Sequence, residues 1–379
     1  MVVYVLLTVS SLTVTYFIYK SLRLNLADTQ RPASIAKALD NVDLPSVSVC
    51  IAARNEMHAL TQNLEAVLAS NYKKMEILVL DDSSTDDTSL IIKSFAHAGV
   101  RFIAGNDLPA GWLGRNYAYQ TLAHEASGEI VMFLDVDTII GVATISQLID
   151  QLYRQKVSMI SVLPKRDDGR RLSALFGTLR YMWEFVVAHD KRPESSGALW
   201  IIDRPRLMSL KSAFYKYRSS VRPEAHLAAQ LNSVNEYSHL VATLDVAVRY
   251  EKRWHSQLET AERLYYPLFG RSAGRVAGIF VLLVGLLIPY AAIVANVNSA
   301  DNVTLIWSIL LIAASWSVYA RFTYATYAKR SRYLRLALWP YLCLQELALY
   351  ILSLGRYATA TVRWKGRPVQ GLESIENSR

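Results

Sequence analysis

Gly128-Glu-Ile-Val-Met-Phe-Leu-Asp135-Val136-Asp137-Thr138 is the stretch on which the fold turns. Ile130 to Leu134 is an unbroken apolar run of strand length, the pattern of a strand buried on both faces of a parallel sheet. It runs directly into two carboxylates separated by one residue. Ligands of open α/β sheets collect at the carboxyl ends of such strands, so Asp135 and Asp137 stand where a ligand would. In an extended segment alternate side chains point the same way, which lets both carboxylates reach one hard cation such as Mg²⁺ or Mn²⁺. The competing reading is an acidic loop that caps the next helix.

Outward from this strand the same grammar repeats. Val47, Val49 and Ile51 lie in a first strand that ends in Ala53-Arg54-Asn55-Glu56, and Met57, Leu60, Leu64, Val67 and Leu68 then recur at helical spacing. The strand Glu76 to Leu80 ends in Asp81-Asp82, with Asp86, Asp87 and Thr88 placed to cap a helix that runs to about His97 and stops before Gly99. Val100 to Ala104 is a third strand and Asn116 to Ala126 a helix. Val142 to Tyr153 and Val157 to Leu163 continue the alternation, followed by a helix over Leu172 to Ala188, a strand over Ala198 to Ile202 and a helix over Glu224 to Leu231. Repeated strand–helix units predict a mostly parallel sheet with helices on both faces. Three neighbouring strand ends would then meet at one crevice, with Arg54 and Glu56 able to hold a base and ribose.

Composition sets the surroundings of this domain. The 379 residues are 52% hydrophobic with a net charge of +9, and the mean hydropathy of +0.16 is high for a soluble domain. The excess lies at the two ends. Met1 to Tyr19 carries no charged side chain and is followed by Lys20 and Arg23, so it reads as an uncleaved anchor with the following domain in the cytoplasm. Val276 to Ala295 and Val303 to Ala320 are long enough to span, joined by a loop without positive residues and followed by Arg321, Lys329, Arg330, Arg332 and Arg335. Leu336 to Leu354 contains Pro340, Gln345 and Glu346 and precedes a basic tail, which favours a re-entrant or interfacial segment over a third crossing. The basic excess flanks apolar stretches, a pattern of contact with anionic headgroups and not with nucleic acid. Cys50 and Cys343 provide neither a disulfide framework nor a zinc spacing.

The expected divisions are therefore 1–24 (anchor), 25–45 (a linker with a short helix over Ala33 to Leu39), 46–262 (catalytic domain), 263–335 (basic segment and two spans) and 336–379. Taken in order, Ala-Arg-Asn-Glu at 53–56, Asp81-Asp-Ser-Ser-Thr-Asp86 and Asp135-Val-Asp137 resemble the membrane-bound family 2 glycosyltransferases over about Ser46 to Glu262. Gly111-Trp-Leu-Gly-Arg115-Asn116 and Trp364-Lys-Gly-Arg367 are similar to segments of the subgroup that glycosylates membrane lipids such as carotenoids, with ceramide glucosyltransferases as more distant kin. The resemblance implies a GT-A (Rossmann-like) domain. It also implies an inverting transfer from a nucleotide sugar, of the UDP type, to the hydroxyl of a membrane lipid.

Carried over residue by residue, Arg54, Glu56 and Asp82 contact the nucleoside, Arg115 the diphosphate, Asp135 the donor, and Asp135 with Asp137 the Mg²⁺ or Mn²⁺. Several positions depart from the pattern. Ala52 replaces a proline, Arg115 replaces a lysine, and Pro223-Glu224-Ala-His-Leu227-Ala228 places Glu224 where an aspartate base is usual. Only Arg253-Trp254 survives of the motif of processive synthases, which argues against polysaccharide synthesis. If Glu224 is not the base, Asp203 and Glu184 are the candidates that remain. The alternatives are transfer to a polyprenyl phosphate, which needs no base, and a non-catalytic nucleotide-sugar-binding membrane protein. Carboxylates at 82, 135, 137 and 224 weigh against the second.

Overall fold

The computed structural model describes residues 1–22, 44–167, 173, 175–210, 213–243, 246–251, 254–298 and 301–369. The expected helix Ala33 to Leu39, Arg23, Leu172 and Arg253 lie outside them. The chain divides into two compact units, one formed by 1–27, 167–187 and 252–362, the other by 28–166, 188–251 and 363–379.

The second unit is built on a seven-stranded sheet. Its strands are β1 (Val47–Ala53), β2 (Met75–Asp81), β3 (Val100–Ala104), β4 (Ile130–Leu134), β6 (Met159–Leu163), β8 (Leu199–Asp203) and β9 (Tyr237–Val241), in the order β3-β2-β1-β4-β8-β6-β9. β1 pairs in parallel with both β2 and β4, and β2 with β3. β8 alone runs against its neighbours, pairing antiparallel with β4 and β6. A second sheet joins β5 (Thr138–Ile140), β7 (Lys165–Arg166) and β10 (Val248–Tyr250).

The two-residue period of the strands divides the core in two. Val47, Val49, Ile51, Ile130, Met132 and Leu134 face one layer with Leu64, Val67, Leu148 and Leu152 from helices Leu60–Leu68 and Thr144–Gln155. Cys50, Val131 and Phe133 face the other, with Tyr119 and Leu122 of helix Gly114–Glu125 and Leu227 and Leu231 of helix Pro223–Asn232. Each buried Val, Leu or Ile contributes about 1.5–3 kcal/mol. A one-residue slip of β4 would exchange its two faces, so the register that aims Asp135 is fixed by the core. Gly99, at φ 88°, ends the helical segment before β3.

The first unit is helical. Val2–Leu22, Ala273–Asn296 and Asn302–Thr326 are long and apolar enough to cross a membrane. They pack closely: a Cβ on Gly285 would collide with Thr13, and Trp307 Nε1 donates to Ser11 Oγ at 3.1 Å. Of the described residues between 173 and 188, Arg180–Val187 form a helix, with further helical residues at 173 and 175. Trp339–Ala358 is a single 20-residue helix. Pro340 lies in its first turn, where the missing amide is harmless, so the proline opens this helix and does not interrupt it. Its fully buried Glu346 accepts from Leu179 N at 2.8 Å and Trp183 Nε1 at 2.7 Å.

Candidate functional site

β1, β2 and β4 are adjacent and parallel, so their carboxyl ends, carrying Arg54, Asp82 and Asp135, share one edge of the sheet. The chain does not continue extended after β4. Thr138 N donates to Asp135 O at 2.9 Å, closing a turn over 135–138 that corrects the expected alternation of Asp135 and Asp137 along a strand. The turn is pinned by Asn63, fully buried in the helix after β1, whose Nδ2 donates to Asp135 O at 3.2 Å and Thr138 O at 2.7 Å. The half-exposed carboxylates are therefore offered by a rigid turn.

Arg115 is the second residue of helix Gly114–Glu125. Its Nη2 donates to Asp135 Oδ1 at 2.8 Å, Gly197 O at 2.7 Å and Tyr119 OH at 2.7 Å. Tyr119, one turn on, has its ring in the aromatic core, 4.7 Å from that of Phe133, while its hydroxyl reaches Asp135. Burial opposes the charge of Arg115, but Asp135, Tyr119 and Glu224 outweigh it and hold the guanidinium protonated beyond the usual range. Burial pushes the Tyr119 phenol up, so it stays a neutral donor.

Glu224 comes from the first turn of helix Pro223–Asn232, where a carboxylate is favoured by the helix dipole. It is 2% exposed. Arg222 Nε lies 3.6 Å from its Oε1, and its Oε2 has no hydrogen-bond partner among the described residues. Arg222 in turn donates through Nη2 to Ser195 Oγ at 2.9 Å. The residue that brings the two halves together is Gly197: a Cβ there would lie 3.1 Å from both Arg115 Nη2 and Glu224 Oε1. Asn116 holds the approach to Glu224, its Nδ2 donating to the carbonyls of Tyr217, Arg218 and Ser220 at 2.7–3.0 Å. Asn63, Asn116 and Gly197 escaped the sequence reading. Their only signal is a buried amide or a glycine beside a motif.

The other two candidate bases come from other elements. Asp203 pairs with Ile130 at the start of β4, the opposite edge from Asp135, because β8 is antiparallel. Glu184 belongs to the other unit. At the second strand end the paired aspartates separate in role. Asp81 accepts from Ser84 N at 3.1 Å and from the Ser89 hydroxyl, which closes the 81–89 loop, while Asp86 caps Thr88 N at 3.1 Å. Asp82, 6% exposed, receives Arg367 Nη1 on both oxygens at 2.9 and 2.7 Å. Arg54 Nη1 donates to Ser83 O at 2.9 Å, and Lys365 Nζ lies 2.9 Å from Glu56 Oε1.

Among the described residues no three His, Cys, Asp or Glu side chains are grouped to enclose a cation. Asp135 and Asp137 offer two carboxylates from one turn, and carboxylates, phosphate oxygens and water are the ligand chemistry that Mg²⁺ or Mn²⁺ takes.

Residues 48–197 match the profile of glycosyl transferase family 2. A UDP-Glc:alpha-D-GlcNAc-diphosphoundecaprenol beta-1,3-glucosyltransferase of Escherichia coli is 34% identical over 111 residues, 29% of this chain and 43% of that protein. A 4,4'-diaponeurosporenoate glycosyltransferase of Staphylococcus aureus is 29% identical over 132 residues, 34% of each chain. The aligned part thus amounts to less than half the length of either relative. The mannosyltransferase of Pyrobaculum calidifontis, solved with GDP-Man and Mn²⁺, superposes on 94% of this chain and 99% of its own with a TM-score of 0.52 at 15% identity. That likeness is one of fold.

Proposed function

We propose that this chain, whose residues 48–197 match the profile of glycosyl transferase family 2, moves a sugar from a nucleotide sugar to the hydroxyl of a membrane lipid with inversion. The observation that carries the proposal is the convergence of Arg115 and Glu224 on Gly197, with Asp135 bound to the same guanidinium. A cation and a buried carboxylate, one atom of which is unsatisfied, frame a space that glycine alone leaves open.

Each group then has one task. Arg115 receives charge that develops on the departing phosphate, from a guanidinium already held by Asp135 and Tyr119 and therefore in place before the reaction. Glu224 takes the proton of the acceptor hydroxyl as its oxygen bonds to the anomeric carbon and the bond to the leaving phosphate breaks on the opposite face. Arg54, Glu56 and Asp82 border the strand ends that receive the nucleoside. A divalent ion on Asp135 and Asp137 would supply Lewis-acid stabilisation of the diphosphate.

Two relatives named for lipid-linked or lipid acceptors, and three helices apolar enough to span, support a lipid acceptor and membrane insertion, while the basic residues that follow the first and third of these helices are what supports a catalytic domain in the cytoplasm. The name of one relative supports a UDP-sugar as donor. A base as buried as Glu224 favours a hydroxyl over a polyprenyl phosphate, whose ionised oxygen has no proton to lose. The test is incubation of the purified protein with a panel of nucleotide sugars and a total lipid extract, read by mass spectrometry. A glycosylated lipid is expected, and donor-independent lipid masses throughout would refute the proposal.

A further inference from the structure

The C-terminal residues Arg363–Pro368 form a hairpin whose two short strands, β11 (Arg363–Trp364) and β12 (Arg367–Pro368), pair antiparallel. Its turn places Lys365 and Gly366 at φ 46° and 81°, the geometry of a two-residue hairpin turn, although lysine is costly there. That conformation is gripped from both sides. Lys365 Nζ donates to Asn55 O at 3.1 Å and pairs with Glu56, while Arg54 Nε donates to Lys365 O at 3.4 Å. Asn55 and Ser83, the residues beneath, are also left-handed, at φ 52° and 54°. Strained backbone that its surroundings over-determine is characteristic of ligand clamps.

Arg367 is anchored on the buried Asp82 through Nη1 alone, so among the described residues Nε and Nη2 make no hydrogen bond. Against the pair lies Gly114, where a Cβ would stand 2.5 Å from Asp82 Oδ2 and 2.7 Å from Arg367 Nη1. Gly114 opens helix Gly114–Glu125, which has no side-chain cap, so the start of that helix stands beside a guanidinium with donors to spare. Resting on the donor reading above, we propose that Arg367 is a diphosphate-binding residue of the donor site and that Lys365, by its hold on Glu56, positions the hairpin that delivers it. Anchoring one nitrogen on Asp82 fixes the planar fork and leaves two parallel donors for a phosphate.

The test uses the full chain in detergent and compares a nucleoside diphosphate with its nucleoside. The wild type is titrated calorimetrically with UDP, GDP, ADP, CDP and TDP, and the best of these and its nucleoside are taken to Arg367→Ala and Arg367→Lys. Loss of two charge-assisted hydrogen bonds predicts about 10- to 100-fold weaker diphosphate binding by Arg367→Ala, with nucleoside affinity within about threefold of wild type and partial recovery in Arg367→Lys. Equal losses for nucleoside and diphosphate would reduce the hairpin to a buttress for Asp82 and overturn the proposal. Unchanged or tighter diphosphate binding would overturn it too. A wild type that binds none of the five removes the donor reading itself, an outcome distinct from failure at Arg367 alone. If Arg367→Ala does not fold, Arg367→Gln, which keeps an amide donor for Asp82, carries the same comparison.

Discussion

Replacing Glu224 by glutamine tests the chemistry at its most exposed point. The substitution keeps shape and removes basicity, and general-base loss costs about 10²- to 10⁴-fold in turnover, or roughly 3–5 kcal/mol in the barrier. The structure adds a second cost. Glu224 is 2% exposed and Arg222 6%, with Arg222 Nε 3.6 Å from Oε1, so the neutral amide leaves the buried guanidinium of Arg222 and the partly buried one of Arg115 less compensated. Breaking a buried pair by removing one charge costs about 3–5 kcal/mol, and glutamine, which keeps the volume and one acceptor, belongs at or below the lower end. A lower Tm is therefore expected together with the kinetic loss. Nucleotide-sugar affinity should stay within about threefold, since the carboxylate acts on the acceptor. The assay is transfer to whichever lipid the mass-spectrometric panel identifies, with donor binding and thermal unfolding measured on the same preparation. Wild-type kcat in a folded Glu224→Gln protein would refute the assignment and return the polyprenyl-phosphate acceptor, which needs no base.

Three further outcomes follow from the site and its setting. Asp135→Asn and Asp137→Asn should each abolish transfer, and a chelator should do the same to the wild type; full activity in chelator would remove the metal from the account. A cysteine at Asn298 should be labelled by an impermeant reagent from outside the cell and one at Ser83 should not, and the reverse pattern would invert the cytoplasmic placement. Burial, reinforced by Arg222, pushes the His239 imidazole down to about 3, with Nδ1 2.8 Å from Ser161 Oγ. The unfolded chain, titrating near 6.5, therefore binds the extra proton between about pH 6.5 and 3, and stability falls as pH drops, at about 1.4 kcal/mol per unit. Asp203, which burial pushes up to about 6, acts with opposite sign, favouring the folded state as pH drops from about 6 toward 4. Between pH 7 and 5 the Tm of His239→Gln should fall less than that of the wild type, and equal slopes would refute the neutral imidazole.

Much of the fold was legible because it follows from periodicity. Ile130 to Leu134 is the strand with the bounds its apolar run suggests, and adjacent parallel β2, β1 and β4 bring the acidic and basic strand ends to one edge. The direction of β8 was not legible, since Leu199-Trp-Ile-Ile202 is apolar on both faces and reads alike either way. Asp203 was misjudged for that reason: reversing the strand sends its last residue to the far edge. The turn after β4 was hidden because what bends it, the amide of Asn63, sits in a helix 72 residues earlier. Two-residue strands leave no periodicity, so the hairpin at 363–368 showed only as a motif without a place.

That hairpin also orders events during synthesis. Arg367 follows Asp82 by 285 residues, and two of the three spanning candidates come between them. At ribosomal rates of about 5–20 residues per second, roughly 15 to 60 seconds separate the emergence of the two partners. During that interval the sheet and its core can assemble, because β1 to β10 lie upstream of both helices, while Asp82 and Glu56 wait without Arg367 and Lys365. A nascent chain arrested before Arg363 would thus hold a folded sheet whose edge keeps Arg54 and Arg115 and lacks Lys365 and Arg367. On the role proposed for Arg367, its hold on a diphosphate is acquired only after the helices Ala273–Asn296 and Asn302–Thr326 have left the ribosome.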